Sequence, residues 1–129
     1  MFENLEVFRT AHAMARHAGA RQAVIARNMA NADTPGYSAQ DMPGFKETFE
    51  AGNRSFEARA TRMSHLNAAN EARLYPVEDR AGALPDPNGN SVTVESEMMH
   101  AVNTKRQHDR ALTIYRTSLG ILRTAIGRR

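Results

Sequence analysis

The side chains best suited to chemistry are the five histidines at positions 12, 17, 65, 100 and 108. A helix that binds a metal presents two imidazoles four residues apart on one face, and no pair here has that spacing. A second pattern, Asp86-Pro-Asn-Gly-Asn90 running on to Glu97, places oxygen donors at positions 1, 3, 5 and 12 of a calcium loop. Ser91, however, stands where such a loop needs glycine, and the Pro-containing segment Tyr75 to Pro85 cannot supply the entering helix. A turn followed by an N-capped helix is the simpler reading. The chain has no Cys, which removes thiolate sites and disulfides. It has no Gly-x-Ser-x-Gly elbow and no glycine-rich phosphate loop. No catalytic residue, metal site or cofactor is expected.

Positive charge is the remaining chemical signal. The formal net charge is +3 and the sequence pI about 9.8. Arg16, Arg21, Arg27, Arg106, Arg110, Arg116 and Arg123 are spread over two stretches without forming one stripe. A nucleic-acid reader concentrates charge on one face. These arginines therefore read as solvated or intersubunit charge, with no nucleic-acid partner and no small-molecule substrate.

The elements that would carry these residues emerge from composition. Ala supplies 21 residues, and Leu, Ile, Val and Phe together 22 of 129. That share, about 17%, is low for a self-sufficient core. Long Ala-rich helices that complete their burial against a partner suit it better, and the isolated chain is expected to be only partly ordered. Residues 1–31 lack Pro and are rich in helix formers. Val7, Ala11, Met14, Ala18, Ile25 and Met29 give one narrow apolar stripe along that helix. The second helix spans residues 96–126. His108, Leu112, Tyr115, Leu119, Leu122 and Ile126 alternate steps of four and three, the pattern of a coiled-coil seam. Met98, Ala101 and Lys105 extend this seam, while Ile114 and Ile121 lie off it and predict a second contact face.

Between the helices, residues 32–94 hold all five Pro and read as loop, with Ser91 to Glu95 suited to a short strand. Charge follows the same division: +2 over 1–31, −3 over 32–94 and +4 over 95–129. At the first junction stands Asn28-Met-Ala-Asn31-Ala-Asp-Thr34-Pro35-Gly36-Tyr37. Pro35 disfavours helix at Thr34. Asn31 suits a left-handed helix end, Asn28 can reach freed carbonyls, and Thr34 to Tyr37 suits a type II turn with Gly at its third position. The segment reads as a stiff exit elbow anchored by Tyr37.

This motif closely resembles that of bacterial flagellar rod and hook axial proteins. Ser38-Ala-Gln-Asp41, the Asp86 to Val92 stretch, Glu97-Met98 and the run from Leu119 to Ile126 are similar to the short proximal-rod members. The resemblance implies that residues 1–31 and 95–129 pair as one coiled-coil domain, joined through the loop-rich middle, 32–94. The fold is thus expected to be mainly α, with at most short β segments. The resemblance also implies a structural subunit of the proximal rod, part of the drive shaft and of the export-channel wall. Its expected partners are other copies of itself, other rod proteins, the rod-base adaptor, and the membrane-ring and export-gate proteins. It would span the periplasm within the basal body, exported without a cleaved signal. The N-terminal sequence is consistent with this, since Glu3 and Glu6 interrupt any apolar run. Ala18-Gly19 stand where such proteins often carry Leu, so burial is expected to depend more on adjacent subunits. A helical component of another type III system, or a small basic nucleic-acid-binding protein, are the alternatives.

Overall fold

The computed structural model describes residues 2–54, 75–80 and 85–127. In chain order the elements are α1 (Phe2–Ala30), β1 (Gln40–Asp41), α2 (Phe45–Arg54), β2 (Glu78–Asp79) and α3 (Val94–Ile126). The path of residues 46–85, left open by the sequence, falls partly outside the described residues, as does His65.

α1 and α3, of 29 and 33 residues, are about 44 and 50 Å long, and they pack antiparallel. Asn28 near the end of α1 bonds Glu97 near the start of α3, and Phe8 meets Tyr115 edge-on with ring centroids 5.2 Å apart. By this register the first residues of α1 face roughly residue 121, and the last turn of α3 runs past its partner. Ile126 is accordingly 77% exposed and Ile121 is exposed too. Among the described residues, no helix is long and apolar enough to cross a membrane.

The buried hydrophobic side chains are mostly small: Ala11, Ala18, Val24, Ile25, Ala39, Met42, Val92 and Ala111. Small residues let the two backbones approach closely but remove little apolar area from water. The buried line of α3 runs through Glu97, Thr104 and Ala111. This is one residue N-terminal to the Met98, Lys105, Leu112, Leu119 and Ile126 line of the sequence reading. Leu112, Leu119, Leu122 and His108 lie half-buried beside it, whereas Met98, Lys105, Tyr115 and Ile126 are exposed. The shift arises because Glu97 finds a charge partner and Ala111 permits close approach. Neither property registers in a count of large apolar residues. On α1, Ala11, Ala18 and Ile25 are buried and Met14 half-buried, but Val7 and Met29 are exposed.

Three local expectations are corrected. The middle is not wholly loop, because α2 forms over ten residues. Phe45 and Phe49, four apart, stack at 5.3 Å, and Phe45 contacts His17 of α1 at 5.8 Å. Ser91 to Glu95 is not a strand: Ser91 bonds back to the elbow and α3 starts at Val94. The two strands that do form pair antiparallel, Gln40 opposite Asp79 and Asp41 opposite Glu78. Finally, Asn31 is not left-handed, since no residue other than glycine has positive φ among the described residues.

Candidate functional site

The motif at the end of α1 folds into a joint held chiefly by two asparagine side chains. Asn28 is fully buried. Its Nδ2 donates to the Gln40 carbonyl at 2.7 Å and to Glu97 Oε2 at 3.2 Å. Its Oδ1 accepts from the Tyr37 hydroxyl at 3.2 Å and from the Gln40 N–H at 3.1 Å. One carboxamide thus joins α1, the exit segment, β1 and α3. It does not reach the freed carbonyls of its own helix, as the sequence reading had it.

The carbonyls just beyond the helix are instead held by Asn90, which the sequence reading had placed among calcium-like oxygen donors. Asn90 Nδ2 donates to the carbonyls of Asn31, Ala32 and Thr34 at 2.9, 2.7 and 2.9 Å. Its Oδ1 accepts from the Val92 N–H at 2.7 Å. The last carbonyls of α1 from Arg27 to Met29 are met locally by the Asn31 and Ala32 N–H groups, whereas those of the exit segment take their donor from a side chain 56 to 59 residues away. Asn31 adds a local bond, Nδ2 to the Arg27 carbonyl at 2.8 Å, and Thr34 Oγ1 donates to Asn31 Oδ1 at 3.3 Å.

The turn itself matches expectation. Gly36 has φ of +71°, and the Tyr37 N–H bonds the Thr34 carbonyl at 3.3 Å. Pro35 precedes Gly36 at the second position of the turn. Gly89, with φ of +77°, packs against it: a Cβ on Gly89 would lie 3.3 Å from Gly36 Cα. The two segments are bonded together by Gly36 N–H to Asn88 O, Ser91 N–H to Tyr37 O, and Ala39 N–H to Ser91 Oγ. In this setting the calcium-like donors are dispersed. Asn90 faces the carbonyls of the α1 exit and Glu97 faces Asn28 and Arg80.

A charge network extends the joint. Glu97, fully buried, pairs with Arg80 at 2.5 Å. Arg80 Nε lies 3.9 Å from Asp41, whose carboxylate takes two bonds from Arg21 at 3.1 and 2.9 Å. Partial burial would raise the Asp41 pKa, but the Arg21 hydrogen bonds and the Met42 N–H outweigh it and hold the carboxyl below its ordinary value. His17, 1% exposed, donates from Nε2 to the Pro43 carbonyl at 2.9 Å, while its buried Nδ1 has no partner among the described residues. Burial lowers its pKa and the Arg21 charge adds to this, against opposing contributions from the Pro43 bond and Asp41. None of Arg21, Asp41, Arg80, Glu97, Asn90 and His17 has this role in the sequence reading: His17, Asn90 and Glu97 stand there as weighed metal ligands, Arg21 as one of the spread arginines, and Arg80 as an ordinary polar residue. Their pairing depends on contacts up to 69 residues apart.

No catalytic arrangement emerges from these bonds. Apart from His17 Nδ1 and Arg80 Nε, the buried polar groups of this network bond one another and lock a chain direction, which is the chemistry of a joint. Similarity to known proteins falls on the same region. A family model described as "Flagella basal body rod protein" matches residues 12–37, from within α1 through Tyr37. The flagellar basal body rod protein FlgB of Agrobacterium fabrum is 31% identical over 110 residues, covering 81% of each chain. FlgB of Escherichia coli is 30% identical over 102 residues, 72% of each chain, and that of Bacillus subtilis 31% over 78 residues, 60% of each. Identity at this level over four-fifths of the chain means that it belongs to the FlgB family of flagellar basal-body rod proteins.

Proposed function

We propose that the chain occupies the proximal part of the rod. In this position its helices form part of the drive shaft and of the wall of the export channel. As a member of the family it is a structural subunit of the flagellar basal body and not an enzyme, and it assembles with other basal-body components. The finer placement is our reading. Neighbouring copies, other rod proteins, the rod-base adaptor, the membrane ring and the export gate are the partners it would meet. It would span the periplasm after export without a cleaved signal.

One observation carries this reading: a densely bonded elbow beside apolar helix faces that no other described residue covers. Ile114, Ile121, Ile126, Met98, Met99 and Val102 are all exposed on α3. A rigid joint with unfilled apolar faces suits a subunit that completes its burial in an assembly. The motif residues Asn28, Asn31, Thr34, Pro35, Gly36 and Tyr37 then form the assembly joint. The α1 stripe and the α3 line from His108 to Ile126 supply intrachain and intersubunit packing. Electron cryo-microscopy of isolated basal bodies tests the placement. The chain should fill density at the base of the rod, and rods complete without it would refute the reading.

A further inference from the structure

The pair α1/α3 carries a cleft of about 410 Å³ lined by Arg21, His100, Asn103, Arg106, Gln107 and Arg110. Every lining side chain is polar, and none is a carboxylate. Asp41 already holds the Arg21 guanidinium. Arg106 and Arg110 are exposed, one turn apart, and have no ion pair or hydrogen bond among the described residues. Like charges at this spacing repel mildly, so an anionic occupant relieves a cost as well as forming bonds.

Complementary groups stand at the elbow end of the same molecule. Asp33 after α1, Asp86 in the turn before Asn90, and Glu95 at the start of α3 are exposed. Their carboxylates have no side-chain partner among the described residues. Arg27, also exposed, is the cation at that end of α1. Glu95 and the two arginines ride on one continuous helix, which fixes them roughly 16 and 22 Å apart along its axis. A single copy cannot bring its acidic end into its own cleft.

We propose that this cleft receives the acidic elbow end of a second copy of the chain. The inference rests on the reading of the chain as a rod subunit and adds the surfaces through which copies meet. Donor and acceptor patches differ, so the contact is heterologous. Such contacts propagate helically and do not close a two-fold dimer. Guanidinium groups suit the role because their planar forks take carboxylates bidentately.

The chain has no cysteine, so Asp86→Cys and Arg106→Cys combined in the full-length protein provide its only thiols. Basal bodies from cells producing this variant, treated with a short thiol cross-linker, should yield dimers and higher species, with neither single variant doing so. Arg106→Glu with Arg110→Glu should reduce incorporation into basal bodies at least tenfold. Adding Asp33→Lys and Asp86→Lys should restore it. All four side chains are exposed and make no described side-chain bonds, so loss of the fold is not the expected cause. A chain present in basal bodies without cross-linked dimers, or the Glu pair incorporating at the parental level, overturns the inference and leaves the rod reading standing. A parental chain absent from basal bodies overturns both.

Discussion

Asn28 and Glu97, 69 residues apart in sequence and both fully buried, share a hydrogen bond of 3.2 Å at the point where the two long helices meet. Each has further obligations, Asn28 to Gln40 and Tyr37, and Glu97 to Arg80. Removing the Asn28 carboxamide leaves several buried groups unsatisfied, each costing about 1–3 kcal/mol. Asn28→Ala should therefore abolish amide protection over 28–41 in hydrogen exchange. Asn28→Asp should be worse still, because it places a second carboxylate against Glu97. Parental protection in either variant would contradict the joint described above.

The Arg80–Glu97 pair gives a second expectation. Taking away Arg80 strands a buried carboxylate, a change that typically costs about 3–5 kcal/mol. Arg80→Ala should destabilise the chain strongly. Adding Glu97→Gln should recover part of the loss, since a neutral amide needs no counter-charge. A double-mutant cycle by chemical denaturation measures this, and strictly additive losses would show the pair to be uncoupled.

Gly36 and Gly89 test the backbone of the turn. Both have positive φ, where a β-branched side chain costs about 1–3 kcal/mol. Gly36→Val should be stable enough to be exported yet fail to support rod growth. Gly89→Ala should be disruptive despite its small size, because its Cβ would press on Gly36 Cα at 3.3 Å. Secreted protein and basal bodies, quantified separately, distinguish a fault in assembly from one in export.

His17 predicts a pH dependence. Its folded pKa lies below 6.5 because burial disfavours the charged ring. The unfolded chain therefore binds the extra proton first, and the contribution of His17 is complete above about pH 6.5. It is lost as pH falls through the folded pKa. Asp41, depressed below 3.8, loses its contribution only at lower pH, so the two windows separate. In a pH series of unfolding midpoints, His17→Phe should flatten the slope just below pH 6.5 and leave the more acidic limb in place.

Leu119 is half-buried near the open end of the helix pair. Leu119→Ala should cost the isolated chain less than the roughly 2–5 kcal/mol of a fully packed site. Leu119→Asp should nevertheless block incorporation into basal bodies, since burial there depends on neighbours. Normal motility in cells producing only Leu119→Asp would contradict this.

Much of this structure is legible in the sequence, and the gaps have physical causes. Helix propensity and the absence of Pro mark α1 and α3, and Pro35-Gly36 marks the turn by which the chain leaves α1. The line on α3 is read one residue off because periodicity weighs Leu112 and Leu119 but not Glu97, Thr104 and Ala111. α2 is missed because its signal is only the Phe45/Phe49 pair in a short polar segment. The joint is half visible: Asn28 and Tyr37 stand in the motif, but Asn90 and Arg80 matter only through contacts that the chain must fold to make. The Asn31 error has a local cause: its N–H and its Nδ2 both bond the Arg27 carbonyl without a left-handed backbone.

Those distant contacts also set an order of events. Asn90 closes loops of 56 to 59 residues and Glu97 one of 69, each carrying a loop-closure cost before any reward. A chain emerging from its N-terminus cannot complete the elbow until its last third is available. The helix end can close locally through the Asn31 and Ala32 N–H groups, but the carbonyls of Asn31, Ala32 and Thr34 and the Asn28 amide must wait for residues 90–97 to arrive. Formation of the joint then becomes a late step that reports arrival of the first three-quarters of the chain, and a subunit truncated before Asn90 would never set its angle.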